Sequence, residues 1–259
     1  MLIGVFDSGV GGLTVLRALH ARLPGHDFLY LGDTARVPYG RKPPAMVAQF
    51  AREIARFLLS QNAEALVVAC NTASSAALPR LADDLPVPVW GVIDAGVAAA
   101  RHASRGGRTG IIGTQGTIRS GVYQRKLEAA GLTVWAQACP LFVHLVEEGL
   151  ADSPETKLLT HHYLSSCPAD LDTVILGCTH YPVLRTAIAN ELGPDIHLVD
   201  SAEEIAKVVS AKLPDPPGRT GTITHYVTGD ALAYEHTAHV IGGVEGSIQT
   251  LSIADLQLR

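Results

Sequence analysis

The chain has 259 residues, 47% of them hydrophobic and 17% charged, enough to bury the core of one large domain or two ordinary ones. That balance excludes a disordered or fibrous chain. A formal net charge of −5 with no block of Lys and Arg argues against a nucleic-acid partner. The opening "MLIGVFDSG" lacks a basic segment and reaches Asp7 too early for a secretory signal. No uninterrupted apolar run reaches the roughly 18 residues of a membrane span. A cytoplasmic chain is therefore expected, with Cys70, Cys139, Cys167 and Cys178 as reduced thiols. They form no CxxC pair, so no structural zinc site is expected.

Short apolar runs alternate with helical patterns throughout, which predicts an α/β fold with mainly parallel strands. Strands are predicted at 2–6, 28–31, 65–69, 88–93, 109–113, 132–136, 173–177, 196–199, 222–228 and 247–252. From Pro44 to Gln61 a helix is predicted, with Met46, Val47, Phe50, Ile54, Phe57 and Leu58 at helical spacing as its core face. A short helix ends at Glu147 and Glu148, one carboxylate facing the interior and the other solvent. Another helix runs from Ala202 to Lys212, and the Pro- and Gly-rich stretch 213–221 is a loop.

The chain reads as a duplication. "IGVFDSG" at 3–9 matches "GIIGTQG" at 110–116, and the strand at Phe28 matches the one at Thr133. Cys70 matches Cys178, and "VIDAG" at 92–96 matches "LVDSA" at 198–202. Across these pairs the offset stays between 105 and 108 residues, a constancy that chance rarely yields. Two similar lobes facing each other about a pseudo-twofold are expected. The first comprises residues 1–93 plus 203–259, and the second 94–202.

In parallel α/β sheets, ligands bind beyond the carboxyl ends of the strands, and Asp7, Cys70, Thr114 and Cys178 all fall there. Cys139 and Cys167 read as small buried hydrophobes. Cys70 and Cys178 differ, because each precedes residues able to hydrogen-bond, Asn71-Thr72 and Thr179-His180, at matched strand ends. Two facing lobes bring both thiols to one cleft. Inversion at a carbon needs such a pair, one group removing a proton and the other delivering one from behind. The Gly-rich turn "DSGVGG" at 7–12 suggests an anion cradle, yet it matches neither the P-loop nor the dinucleotide fingerprint. Asp7 is either a helix cap or a site residue. The loop "GDTARVPYGRK" follows a strand end and is placed to close over a ligand.

Together, "FDSGVGGLTV", "YLGDTARVPYG", "ACNTASS", "GTQGTIRS", "ACPLF…LVEEG" and "LGCTHYP" resemble the glutamate racemases of the aspartate/glutamate racemase family. The resemblance covers nearly the whole chain. It implies an isomerase, independent of cofactors, that makes D-glutamate for peptidoglycan. It further implies that Cys70 and Cys178 are the catalytic thiols, with Asp7 assisting Cys70, and Glu147 and His180 assisting Cys178. Asp7, Ser8, Tyr39, Gly40, Asn71, Thr72, Thr179 and His180 are implied to contact the substrate, and Thr114 and Thr117 to line its pocket. His144 departs from the family, which usually carries Pro there. No metal, nucleotide or pyridoxal phosphate is expected, since none of the five lysines stands in a strand-end motif and no ligand cluster is placed to hold one. The expected partners are glutamate and a second copy of the chain, as a homodimer. Two rival readings are a racemase for aspartate or a related acid, and a phosphate- or nucleotide-binding module using the turn at 7–12.

Overall fold

A computed structural model describes residues 1–243 and 245–257. Its strands are β1 (Leu2–Asp7), β2 (Asp27–Gly32), β3 (Ala65–Val68), β4 (Val89–Gly91), β5 (Arg108–Gly113), β6 (Thr133–Ala138), β7 (Thr173–Gly177), β8 (His197–Asp200), β9 (Ile223–Val227) and β10 (Ser247–Thr250). They form two sheets, a six-stranded one in the order β10-β9-β2-β1-β3-β4 and a four-stranded one in the order β6-β5-β7-β8. Every pairing is parallel. Crossover helices cover both faces of each sheet, so the central strands read as continuous apolar runs rather than alternating ones. Ile3, Val5 and Phe6 of β1, and Val174, Ile175 and Leu176 of β7, are fully buried.

The duplication is visible in the topology. Adding four to each strand number turns β2-β1-β3-β4 into β6-β5-β7-β8, which is the second sheet. The two sheets are therefore built to one plan, and β9 and β10 extend only the first.

Several element boundaries differ from those predicted. The run 88–93 is a strand only over Val89–Gly91, and Val92 and Ile93 open a helix, Val92–Ala103. Both residues are buried there as they would be in a strand. A short apolar run does not distinguish the two states by period. The helix Pro44–Ser60 buries Val47, Ile54, Phe57 and Leu58, but Met46 in its first turn is exposed. Among the described residues no helix is long and apolar enough to cross a membrane.

Candidate active site

Asp7 ends β1, and Cys70 follows β3 by two residues and caps the helix Asn71–Asp84. Thr114 follows β5 and caps the helix Gln115–Ser120, and Cys178 follows β7 directly. These ends come from two different sheets and converge on one cavity, lined by both thiols. Of the thirteen residues singled out in the sequence, all but Asp7 and Thr117 line it. Those two lie directly behind the wall. Asp7 is 1% exposed and accepts the Gly9 N–H at 3.0 Å, so it is not a cap of the helix Leu13–Arg22, whose N-cap is Gly12. Thr117 is fully buried and stands 3.3 Å from Thr72 and 3.1 Å from Thr114 through hydroxyl oxygens. With Thr72 and Thr114 only 2.9 Å apart, three hydroxyls from both halves of the molecule form one cluster.

The Tyr39–Gly40 loop is held by a buried polar network that the sequence did not announce. Asp33, fully buried, accepts from the Tyr39 hydroxyl, from Arg36 Nε at 2.6 Å and from the Thr228 hydroxyl at 2.8 Å. Arg36 also pairs with Glu53 of the helix Pro44–Ser60 and lies 4.0 Å over the Phe50 ring. A loop tied down by these bonds keeps a defined wall on the cavity.

The glycines at 11 and 12 serve packing. A Cβ on Gly11 would collide with His180 and Thr179 from the other sheet, and one on Gly12 with Asp7 and the Tyr30 hydroxyl. Only bare backbone lets the turn after β1 approach the segment after β7. This removes the main support for a phosphate cradle at 7–12. His144 also lines the cavity, within the unbroken helix Leu141–Glu147, as do Arg41 and Val143.

The family pattern described as Asp/Glu/Hydantoin racemase matches residues 11–209. The chain belongs to this racemase family. It is 54% identical over 259 residues to the glutamate racemase of Thermus thermophilus, covering 98% of this chain and 97% of that one. A crystal structure of Thermus thermophilus glutamate racemase in complex with beta-chloro-D-alanine superposes with a TM-score of 0.92 at 53% identity, over 98% of this chain and 97% of that one. The Francisella tularensis glutamate racemase in complex with D-glutamate gives a TM-score of 0.90 at 32% identity, over 99% and 98%.

The electrostatics of the racemase cavity are asymmetric. Burial pushes the Cys70 thiol up to about 12, and the nearby Asp7 carboxyl adds to the shift. The Ala73 N–H, 3.4 Å from its sulfur, and Ser8, at 3.7 Å, offset this only in part. Cys178 stands 3.8 Å from His180 Nδ1, whose Nε2 lies 3.0 Å from Glu147. Burial opposes the imidazolium, but the hydrogen bonds to Cys178 and Glu147 outweigh it and hold His180 up to about 10. Burial likewise raises Asp7 above the usual carboxylate range, against the lowering effect of His180 and of backbone N–H groups. The cavity thus pairs a protonated thiol on one side with a sulfur beside a cationic imidazole on the other.

Proposed function

We propose that this chain interconverts L- and D-glutamate by proton transfer between the α-carbon and two thiols, Cys70 and Cys178. The reading is carried by one observation, that two buried cysteines at equivalent strand ends of separate sheets line one cavity. A binding module has no use for that arrangement, whereas racemisation requires one base and one acid per turnover. In each turnover one thiol is the acid and the other, as thiolate, is the base, the assignment following the hand of the substrate. After one turnover the roles are exchanged, so the proton belongs to the coupled pair. Asp7 assists Cys70, and His180 with Glu147 assists Cys178. Ser8, Asn71, Thr72, Thr114 and Thr179 supply donors to the substrate carboxylates and stabilise the carbanion-like transition state in place of a cofactor's electron sink. Tyr39 and Gly40 close the wall, and Thr117 orders the other two threonines.

The near-full-length similarity to glutamate racemases favours glutamate over aspartate as substrate. The product would feed peptidoglycan synthesis in the cytoplasm, where thiols stay reduced. We further propose a homodimer, for which light scattering should return about twice the 27.3 kDa of the chain. The two lobes are proposed to follow the two sheets. The deciding experiment is incubation of the dialysed enzyme with L-glutamate in deuterium oxide. Deuterium at the α-carbon together with accumulation of D-glutamate is expected, without added pyridoxal phosphate or metal. Exchange into aspartate but not glutamate would overturn the substrate, and no exchange into either would overturn the reaction.

A further inference from the structure

Asn71, the first residue of the helix after Cys70, is 3% exposed and lines the cavity. Its two amide ends are treated differently. Oδ1 accepts a 2.7 Å hydrogen bond from the hydroxyl of Tyr123, whereas Nδ2 is buried with no partner among the described residues. Burying an unpaired amide donor carries a cost that native structures rarely bear without a reason. Tyr123 is itself fully buried and belongs to the helix Val122–Ala129, beside the four-stranded sheet. The bond therefore crosses from one half of the racemase to the other.

The protons in this cluster can be followed. The Ser201 hydroxyl donates to the Leu176 carbonyl at 3.1 Å, so it has no proton left for Tyr123, 3.4 Å away. The neutral phenol has one proton, and the much shorter contact to Asn71 Oδ1 takes it. Occupying the carbonyl end turns the amino end of the side chain toward its unpaired position. Without the phenol, the amide is free to rotate by half a turn and present its oxygen instead, which would repel a carboxylate.

We propose that Tyr123 is a positioning residue for the reaction: its hydroxyl fixes the Asn71 amide so that Nδ2 donates to a carboxylate of the amino-acid substrate. This rests on the glutamate racemase reading above. Donation to a carboxylate present throughout the reaction is felt mainly in KM. Tyr123→Phe, which keeps the ring, should therefore raise KM for glutamate about tenfold with kcat changed less than about threefold. Asn71→Ala should lose at least as much, and the double variant should lose no more than Asn71→Ala alone. Losses that multiply in the double variant, or wild-type constants for Tyr123→Phe, would overturn the proposal. If Tyr123→Phe fails to fold, Asn71→Asp serves. With Tyr123 holding one oxygen, the other faces the substrate, and glutamate binding by calorimetry should be weaker than in Asn71→Ala. Equal binding would show that Nδ2 does not face a carboxylate. A wild-type enzyme that neither binds glutamate nor exchanges its α-hydrogen would sink the parent reading and this one with it. Wild-type exchange with multiplicative losses would sink this one alone.

Discussion

Cys70 and Cys178 occupy equivalent places in two sheets of the same strand order, yet their surroundings differ in sign. Around Cys70 stand a buried carboxyl and the hydroxyl of Ser8; around Cys178 stands an imidazole backed by a carboxylate. Duplication supplies two like positions, and the side chains next to them differ. The two halves thus repeat one strand plan while surrounding their sulfurs with different groups.

The most drastic way to break the comparison is to remove either sulfur. Cys70→Ser and Cys178→Ser should each lower racemisation by at least the ~10⁴-fold at the upper end of what one acid or base contributes. A hydroxyl is far too weak a base to replace a thiolate near neutral pH. Circular dichroism should show both variants folded, and turnover near wild type in either would rule out the two-thiol mechanism. A substrate carrying a good leaving group at its β-carbon should still be deprotonated by the remaining thiol, since elimination needs only one base.

Removing the neighbours should sharpen the asymmetry. Asp7→Asn and His180→Asn should each cost on the order of 10²-fold in turnover, but in different directions. The equilibrium between enantiomers cannot change, so kcat/KM falls equally both ways and the difference appears in kcat and KM separately. Primary isotope effects with α-deuterated L- and D-glutamate read this out. Identical changes in both effects for both variants would show that the partners are wrongly assigned.

The smallest effects concern stability, and here the two halves should respond to pH with different outcomes on mutation. His180 is raised from 6.5 to about 10, so the folded state holds its proton more tightly than the unfolded one. Its contribution is fully present below about pH 6.5 and lost as pH rises through about 10. His180→Asn should therefore lose stability relative to wild type at neutral pH and converge with it at alkaline pH. Asp7 is also raised, by burial, so its ionised form costs stability above its folded pKa. Asp7→Asn should melt higher than wild type near about pH 8, by an amount that shrinks toward about pH 4. Differential scanning fluorimetry across this range checks both, and a lower Tm for Asp7→Asn at the alkaline end would show that the carboxylate is better solvated than its burial implies.

Much of this was legible in the chain. The constant offset between strand ends identified the duplication and paired Cys70 with Cys178, because equivalent strands carry equivalent end residues. All but two of the predicted site residues line the cavity, and those two touch residues that do. The strand predicted through Ile93 was too long because buried residues at a strand-to-helix junction are apolar in either state. Gly11 was read for what it might bind, when its lack of a side chain is what matters. Tyr123 and the Asp33–Arg36–Glu53 network went unnoticed, since a Tyr or a Glu in a helical pattern carries no local mark of a partner as far as 52 residues away in sequence.

The sequence by itself determined the α/β class, the repeated plan, the two thiols at matched strand ends and the family resemblance. These depend on period, spacing and residue type, which are properties of short stretches. Only the tertiary structure decided which groups face each sulfur, that Asn71 is held by a phenol from the other half, and that Cys70 lies near a buried carboxyl while Cys178 lies beside an imidazole. Those depend on burial and on distances of about 3–4 Å between segments remote in the chain, where removal of water makes each nearby charge or dipole count.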